Sequence, residues 1–102
     1  MGEAQRVATV VPTLNEADSI TRCIESLLRQ TYPPKFHRII IVDGGSIDGT
    51  TSVVEGIIQG LGQDQPAIEI LNNPGKFSPQ ARNIALQHLD GSADFIFEMI
   101  AH

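Results

Sequence analysis

The chain has a single cysteine, Cys23, among 102 residues. One thiol excludes an internal disulfide and a multi-cysteine metal site. Cys23 falls within a helical apolar pattern, so it reads as a buried core thiol rather than a nucleophile. Clusters of Lys and Arg are missing too, and the net charge is −5. A nucleic-acid footprint needs a basic face, so nucleic acid is not an expected partner, whereas one anionic ligand at a focused site remains compatible. No apolar run approaches the roughly 18 residues of a membrane span. The opening Met1-Gly2-Glu3-Ala4-Gln5-Arg6 lacks the apolar stretch of a signal peptide. Arg6 also stands where a myristoylation pattern requires Ser or Thr. The expectation is a soluble, cytoplasmic chain with one core. Neither a Gly-x-x-x-x-Gly-Lys phosphate loop nor a Gly-x-Gly-x-x-Gly turn follows the first strand, which disfavours a nucleoside triphosphatase and a dinucleotide binder. Ser46 has no nucleophile-elbow surroundings.

Four apolar runs alternate with three helical patterns. The first run is Val7-Ala8-Thr9-Val10-Val11, stopped by Pro12. Ile20, Cys23, Ile24, Leu27 and Leu28 then share one helical face, with Asn15 or Asp18 available as the cap. The second run, Ile39-Ile40-Ile41-Val42, has no polar alternation and suits a central parallel strand covered on both faces. The turn-rich Asp43-Gly44-Gly45-Ser46-Ile47-Asp48-Gly49 precedes a helix carrying Val53, Val54, Ile57, Ile58 and Leu61, broken by Gly60 and Gly62. The third run is Ile68-Glu69-Ile70-Leu71. Ser78-Pro79 starts a third helix with Ala81, Ile84, Ala85 and Leu89 inward, and Gly91 can end it. The last run is Phe95-Ile96-Phe97-Glu98-Met99-Ile100. Such alternation predicts βαβ units and a parallel sheet with helices on its faces.

Parallel strands place all their carboxyl ends on one edge, where open α/β sheets bind ligands. That edge receives Pro12-Thr13-Leu14-Asn15-Glu16, Asp43-Gly44-Gly45-Ser46, Asn72-Asn73-Pro74-Gly75-Lys76 and Ala101-His102. Asp43 can accept from a base N–H or ribose hydroxyl, or cap its own turn. Gly44 and Gly45 allow close backbone approach or positive φ. Glu16 can meet a ligand or favour a helix N-terminus. Lys76 can pair with a phosphate or stand in solvent. Arg82 can reach the same edge or form a surface ion pair. His37 and His88 read as structural or solvent-facing.

Taken in order, these segments resemble family 2 glycosyltransferases. Val10-Val11-Pro12-Thr13-Leu14-Asn15-Glu16 is similar to that family's first-strand motif, and Ser26-Leu27-Leu28-Arg29-Gln30-Thr31-Tyr32-Pro33 to the end of its first helix. Ile40-Ile41-Val42-Asp43-Gly44-Gly45-Ser46-Ile47-Asp48-Gly49-Thr50 resembles its Asp-Gly-Gly-Ser segment. Asn73-Pro74-Gly75-Lys76 and Ala81-Arg82-Asn83-Ile84-Ala85-Leu86 resemble the stretch before its fourth strand. The wording is closest to the succinoglycan, or exopolysaccharide, branch. The resemblance implies a Rossmann-like three-layer α/β/α fold of the GT-A type, a mostly parallel sheet in order 3-2-1-4, and a nucleotide-diphosphate sugar donor of uridine type. Residues 1–102 would be its donor-binding half, without the acceptor half. By position, Pro12, Leu14 and Glu16 would line the nucleoside pocket, Asp43 would bind the base, and Lys76 and Arg82 would lie near the donor.

The family holds a divalent cation, Mg²⁺ or Mn²⁺, with an Asp-x-Asp or Asp-x-His motif after the fourth strand, and the metal neutralises the leaving diphosphate. Here Ile100 stands in place of the first acid and His102 in the last position; Glu98 lies two residues early. The expectation is a donor-binding domain inactive alone, the alternative a non-catalytic nucleotide-binding or assembly module on the same fold. A phospho-receiver is disfavoured because Pro12-Thr13-Leu14 offers no acidic pair. The last run would form an apolar edge strand through which copies could associate.

Overall fold

Branched apolar runs and amphipathic stretches fold into the alternation their periods predict. The computed structural model describes residues 5–76 and 78–101, with Ser78 as backbone alone. Its elements are β1 (Val7–Thr13), α1 (Ile20–Leu28), a single 3-10 turn (Pro34–Phe36), β2 (His37–Asp43), α2 (Thr50–Gln59), β3 (Ala67–Asn72), α3 (Ser78–Leu89) and β4 (Phe95–Glu98). All strand pairs are parallel, in the expected order β3-β2-β1-β4.

Period-two alternation sorts each strand between two layers. Val11, Ile39, Ile41 and Ile68 pack under α1 and α2, which contribute Ile20, Cys23, Ile24, Leu27 and Val54. Ala8, Val10, Ile40 and Val42 point the other way, onto Ala81, Ala85 and Leu89 of α3. The β2 run is therefore buried on both faces, as its unbroken apolar sequence required. Burial of Cys23 among these side chains pushes its thiol up, with Glu16 adding to the shift, so it stays protonated core filling.

Three details depart from expectation. Pro12 does not stop β1, which pairs with β2 through Pro12 and Thr13, because its missing N–H lies on the β4 side. Neither Asn15 nor Asp18 caps α1; the cap position is Ser19, and its side chain makes no capping bond. Instead the Glu16 carbonyl accepts the Ser19 and Ile20 amides, at 3.0 and 2.8 Å. The Asn15 side chain is occupied elsewhere, by the Ile47 amide. The last strand is also shorter than its apolar run. Met99 donates to the Val10 carbonyl at 2.9 Å, and the ladder stops there. The next residue of β1 turned towards β4 is Pro12, which has no N–H to give. Ile100 then faces solvent while Ala101 folds into the core under α1. The cap expected from the Ser78 side chain lies outside the described residues.

Polar links fasten the layers at the strands' amino ends. Arg38 on β2 grips Glu69 on β3 with two bonds, at 2.7 and 2.8 Å, and reaches Ser92 beyond α3 at 2.8 Å. His88 on α3 meets the same carboxylate at 2.6 Å. Arg38, then His88, holds the Glu69 carboxyl below its usual range. His37 is buried and bonded to the Thr9 hydroxyl at 2.9 Å, the structural role expected of it.

Candidate functional site

The register brings three loops to one level. Thr13 pairs with Asp43, and Asp43 with Asn72, at the carboxyl ends of β1, β2 and β3. Two backbone bonds carry this alignment into the loops: Gly44 donates to the Thr13 carbonyl at 2.8 Å and Asn73 to the Asp43 carbonyl at 2.7 Å. Of the loops expected on one edge, those carrying Pro12, Asp43 and Lys76 meet there, and the position expected for His102 is not among the described residues.

Asp43 is buried and its carboxylate is organised by its own turn. One oxygen accepts the Gly45 and Ser46 amides at 3.0 and 2.9 Å; the other accepts the Ser46 hydroxyl at 2.5 Å. The turn-capping reading of Asp43 is thus realised in the structure. The two glycines do different work. Gly45 sits at φ +95, in the left-handed region. A Cβ on Gly44 would lie 3.1 Å from the Lys76 Cα, so the 73–76 loop packs directly on this turn. Lys76 itself is left-handed at φ 70, and its side chain runs past Gly45. Among the described residues Lys76 has no ion-pair partner.

The first loop is fastened to the second by bonds that composition alone does not announce. Asn15, left-handed at φ 53, donates its amide to the Ser46 hydroxyl at 2.8 Å, and its side-chain oxygen accepts the Ile47 amide at 2.8 Å. Glu16 donates its amide to the Thr50 hydroxyl and Ala17 to the Asp48 carboxylate, both at 3.0 Å. The Thr50 hydroxyl, then the Ala17 amide, holds the Asp48 carboxyl below its usual range. The signal available in sequence was the run of Ser, Asp and Thr after β2, residues that bond nearby backbone. Pro12 is half-buried on β1, Leu14 is exposed beside it, and Glu16 accepts the Ser19 hydroxyl at 3.0 Å.

Arg82 is not drawn to the Asp43 turn. It pairs with Glu98 at the end of β4, and this carboxylate holds the guanidinium pKa up. The surface ion pair, one of its two expected roles, is what forms. The segment after β4 supplies Met99, Ile100 and Ala101. Mg²⁺ and Mn²⁺ prefer oxygen ligands, and none of these side chains has one, while Glu98 is engaged by Arg82. The described residues therefore do not fit the family's metal; nor do three His, Cys, Asp or Glu gather anywhere among them. His102 lies outside the described residues.

A cavity of about 580 Å³ lies away from this edge, on the α1 side of the sheet near β4, lined by Val7, Thr9, Tyr32, His37, Phe95 and Phe97. Its walls are mostly apolar, with Gln5, Gln30 and Glu98 in their polar part, and it holds neither Asp43 nor Lys76. No helix among the described residues is long and apolar enough to cross a membrane.

The model of the family described as Glycosyl transferase family 2 matches residues 9–99. The succinoglycan biosynthesis protein ExoA of Rhizobium meliloti is 36% identical over 93 residues, 91% of this chain and 27% of the relative. The mannosyltransferase PcManGT from Pyrobaculum calidifontis, solved in complex with GDP-Man and Mn²⁺, superposes with a TM-score of 0.75 at 30% identity, over 84% of this chain and 25% of its own. TarS of S. aureus has the same TM-score at 23% identity, over 94% of this chain and 16% of its own, a likeness of fold. The chain thus spans about a quarter of the length of ExoA and of the mannosyltransferase. The Pro-Thr-Leu-Asn-Glu loop, the Asp-Gly-Gly-Ser turn and all but the first two residues of the sheet fall within the matched span, and the chain belongs to the family 2 glycosyltransferases, on a GT-A fold.

Proposed function

We propose that this chain provides the nucleoside side of the donor pocket in a family 2 glycosyltransferase, which moves a sugar from a nucleotide-diphosphate donor to an acceptor hydroxyl. The observation that carries this reading is the convergence of the Pro12–Leu14–Glu16 loop, Asp43 and Lys76 at one sheet edge. In this reading Asp43 accepts from the base, Pro12 and Leu14 give apolar wall, and the Lys76 ammonium approaches the diphosphate. Arg82 enters this pocket only by exchanging Glu98 for the ligand. The metal of the family would need ligands from outside the described residues. The chain alone then binds nucleotide without turning over a sugar donor.

The base is proposed to be uracil. The GDP-Man complex of the related mannosyltransferase makes guanine the alternative to test. Titration of ¹⁵N-labelled chain with UDP and with GDP is the experiment. Affinity near millimolar, about 4 kcal/mol, is expected, with shifts centred on Gly45 and Ser46 and abolished in Asp43→Ala. Absence of shifts at high ligand concentration, or equal shifts in the variant, would overturn the reading.

A second reading concerns assembly. Phe95 and Phe97 on β4 are 51% and 57% exposed, so a second copy pairing along β4 is proposed as a partner.

A further inference from the structure

Ser46 is the residue at which the two ligand loops meet. Its hydroxyl has one hydrogen and two lone pairs. The hydrogen goes to the Asp43 carboxylate at 2.5 Å, because an ionised carboxylate can only accept. A lone pair receives the Asn15 amide at 2.8 Å. The result is a directed chain: Asn15 N–H to Ser46 Oγ–H to Asp43 Oδ1. Asn15 answers by accepting the Ile47 amide, so the Ser46-Ile47 step and Asn15 hold one another in both directions. This reciprocal contact fixes Asn15 at φ 53, where an L-residue is rarely stable without local bonding. Leu14 and Glu16, on either side of Asn15, are aimed by that backbone.

We infer that Ser46 is a positioning residue of the donor site: it couples the Asp43 carboxylate to the Pro12–Leu14–Glu16 loop, so that both walls of the nucleoside pocket are ordered together. The inference rests on the donor-site reading above. Ser46 touches no ligand in this scheme. It acts through Asp43, whose free acceptor direction it sets, and through Asn15, whose turn places Leu14. Glu16 and Ala17 remain tied to Thr50 and Asp48 independently of Ser46. Loss of the hydroxyl therefore loosens the pocket and leaves α1 anchored.

The test is a set of nucleotide titrations on the intact chain, followed by amide shifts. In the native chain, Leu14 and Asn15 should titrate with UDP at the same midpoint as Gly45. Ser46→Ala should weaken UDP by roughly tenfold, the scale of a lost charge-assisted bond. The Leu14 and Asn15 shifts should fall away while those near Asp43 persist. Ser46→Thr keeps the hydroxyl and should restore both affinity and coupling, a rescue that a purely steric role would not give. Asn15→Gly tolerates φ 53 but lacks the side-chain oxygen, and should show the same uncoupling from the opposite end. Without ligand, Ser46→Ala should speed hydrogen exchange at the Asn15 amide. Native-like affinity and concerted shifts in Ser46→Ala would overturn this inference and leave nucleotide binding standing. Failure of the native chain to bind UDP or GDP would overturn the donor-site reading, and the positioning role with it.

Discussion

At the scale of single residues, the carboxylate of Asp43 is nearly saturated before any ligand arrives. A carboxylate accepts about four hydrogen bonds, and the Gly45 amide, the Ser46 amide and the Ser46 hydroxyl take three positions. The oxygen facing the two amides is full, so Asp43 can take a single further donor. A base with one imide N–H meets that geometry, and a side-by-side pair of donors does not. Replacing UDP by its N3-methyl analogue should weaken binding by about tenfold or more; unchanged affinity would show that the base bonds elsewhere. His37 gives a second residue-scale expectation. Burial lowers its pKa from 6.5, so on acidification the unfolded chain takes a proton that the folded chain resists. Stability should be full above 6.5 and fall as pH drops below it, down to the lowered folded value. Urea melts between pH 7 and 5 check the sign, and His37→Gln should flatten the slope. The glycines and Asp43 could be read from sequence because their chemistry is local. The bonds from Asn15 to Ser46 and from Ala17 to Asp48 could not, since each needs two loops brought together by strand register.

At the scale of elements, the helices follow their apolar periods because each buries one face, and β1 and β2 follow their unbroken apolar runs because both of their faces are covered. β4 is the exception: its apolar run continues to Ile100, and the partner's proline rather than its own sequence ends it. The four residues of β4 are all exposed, and β4 forms one edge of the described sheet. Open edges invite pairing. Alternate residues share a face, so antiparallel pairing centred on Ile96 would set Phe95 against the partner's Phe97. It would also set Glu98 against the partner's Asp94, each already bonded to an arginine of its own chain. Sedimentation over a concentration series should show association at tens of micromolar, and Phe97→Lys should abolish it. A native chain that sediments as a monomer throughout would remove this expectation.

At the scale of the whole molecule, the segment after the fourth strand, Met99 to Ala101, brings no side-chain oxygen for a cation to the sheet edge, and Glu98 at the end of β4 is held by Arg82. Ile100→Asp should therefore add Mg²⁺- or Mn²⁺-dependence to nucleotide binding, seen by calorimetry with and without the metal, and still give no sugar transfer. Turnover by the unaltered chain with either metal would contradict the assignment. The same sheet order governs how the chain assembles in time. β1 is the first strand in sequence, yet it lies between β2 and β4, and its flank meets the last strand through Arg6 and Asp94, 88 residues apart. Closing so long a loop precedes any reward from the contacts it makes. The β1-β2 pair can form early, with one side of β1 left open until α3 has crossed the sheet. Pulse-labelled hydrogen exchange during refolding should find the Ile40 amide protected before those of Phe97 and Met99, so that the first strand to be made is the last to be flanked on both sides.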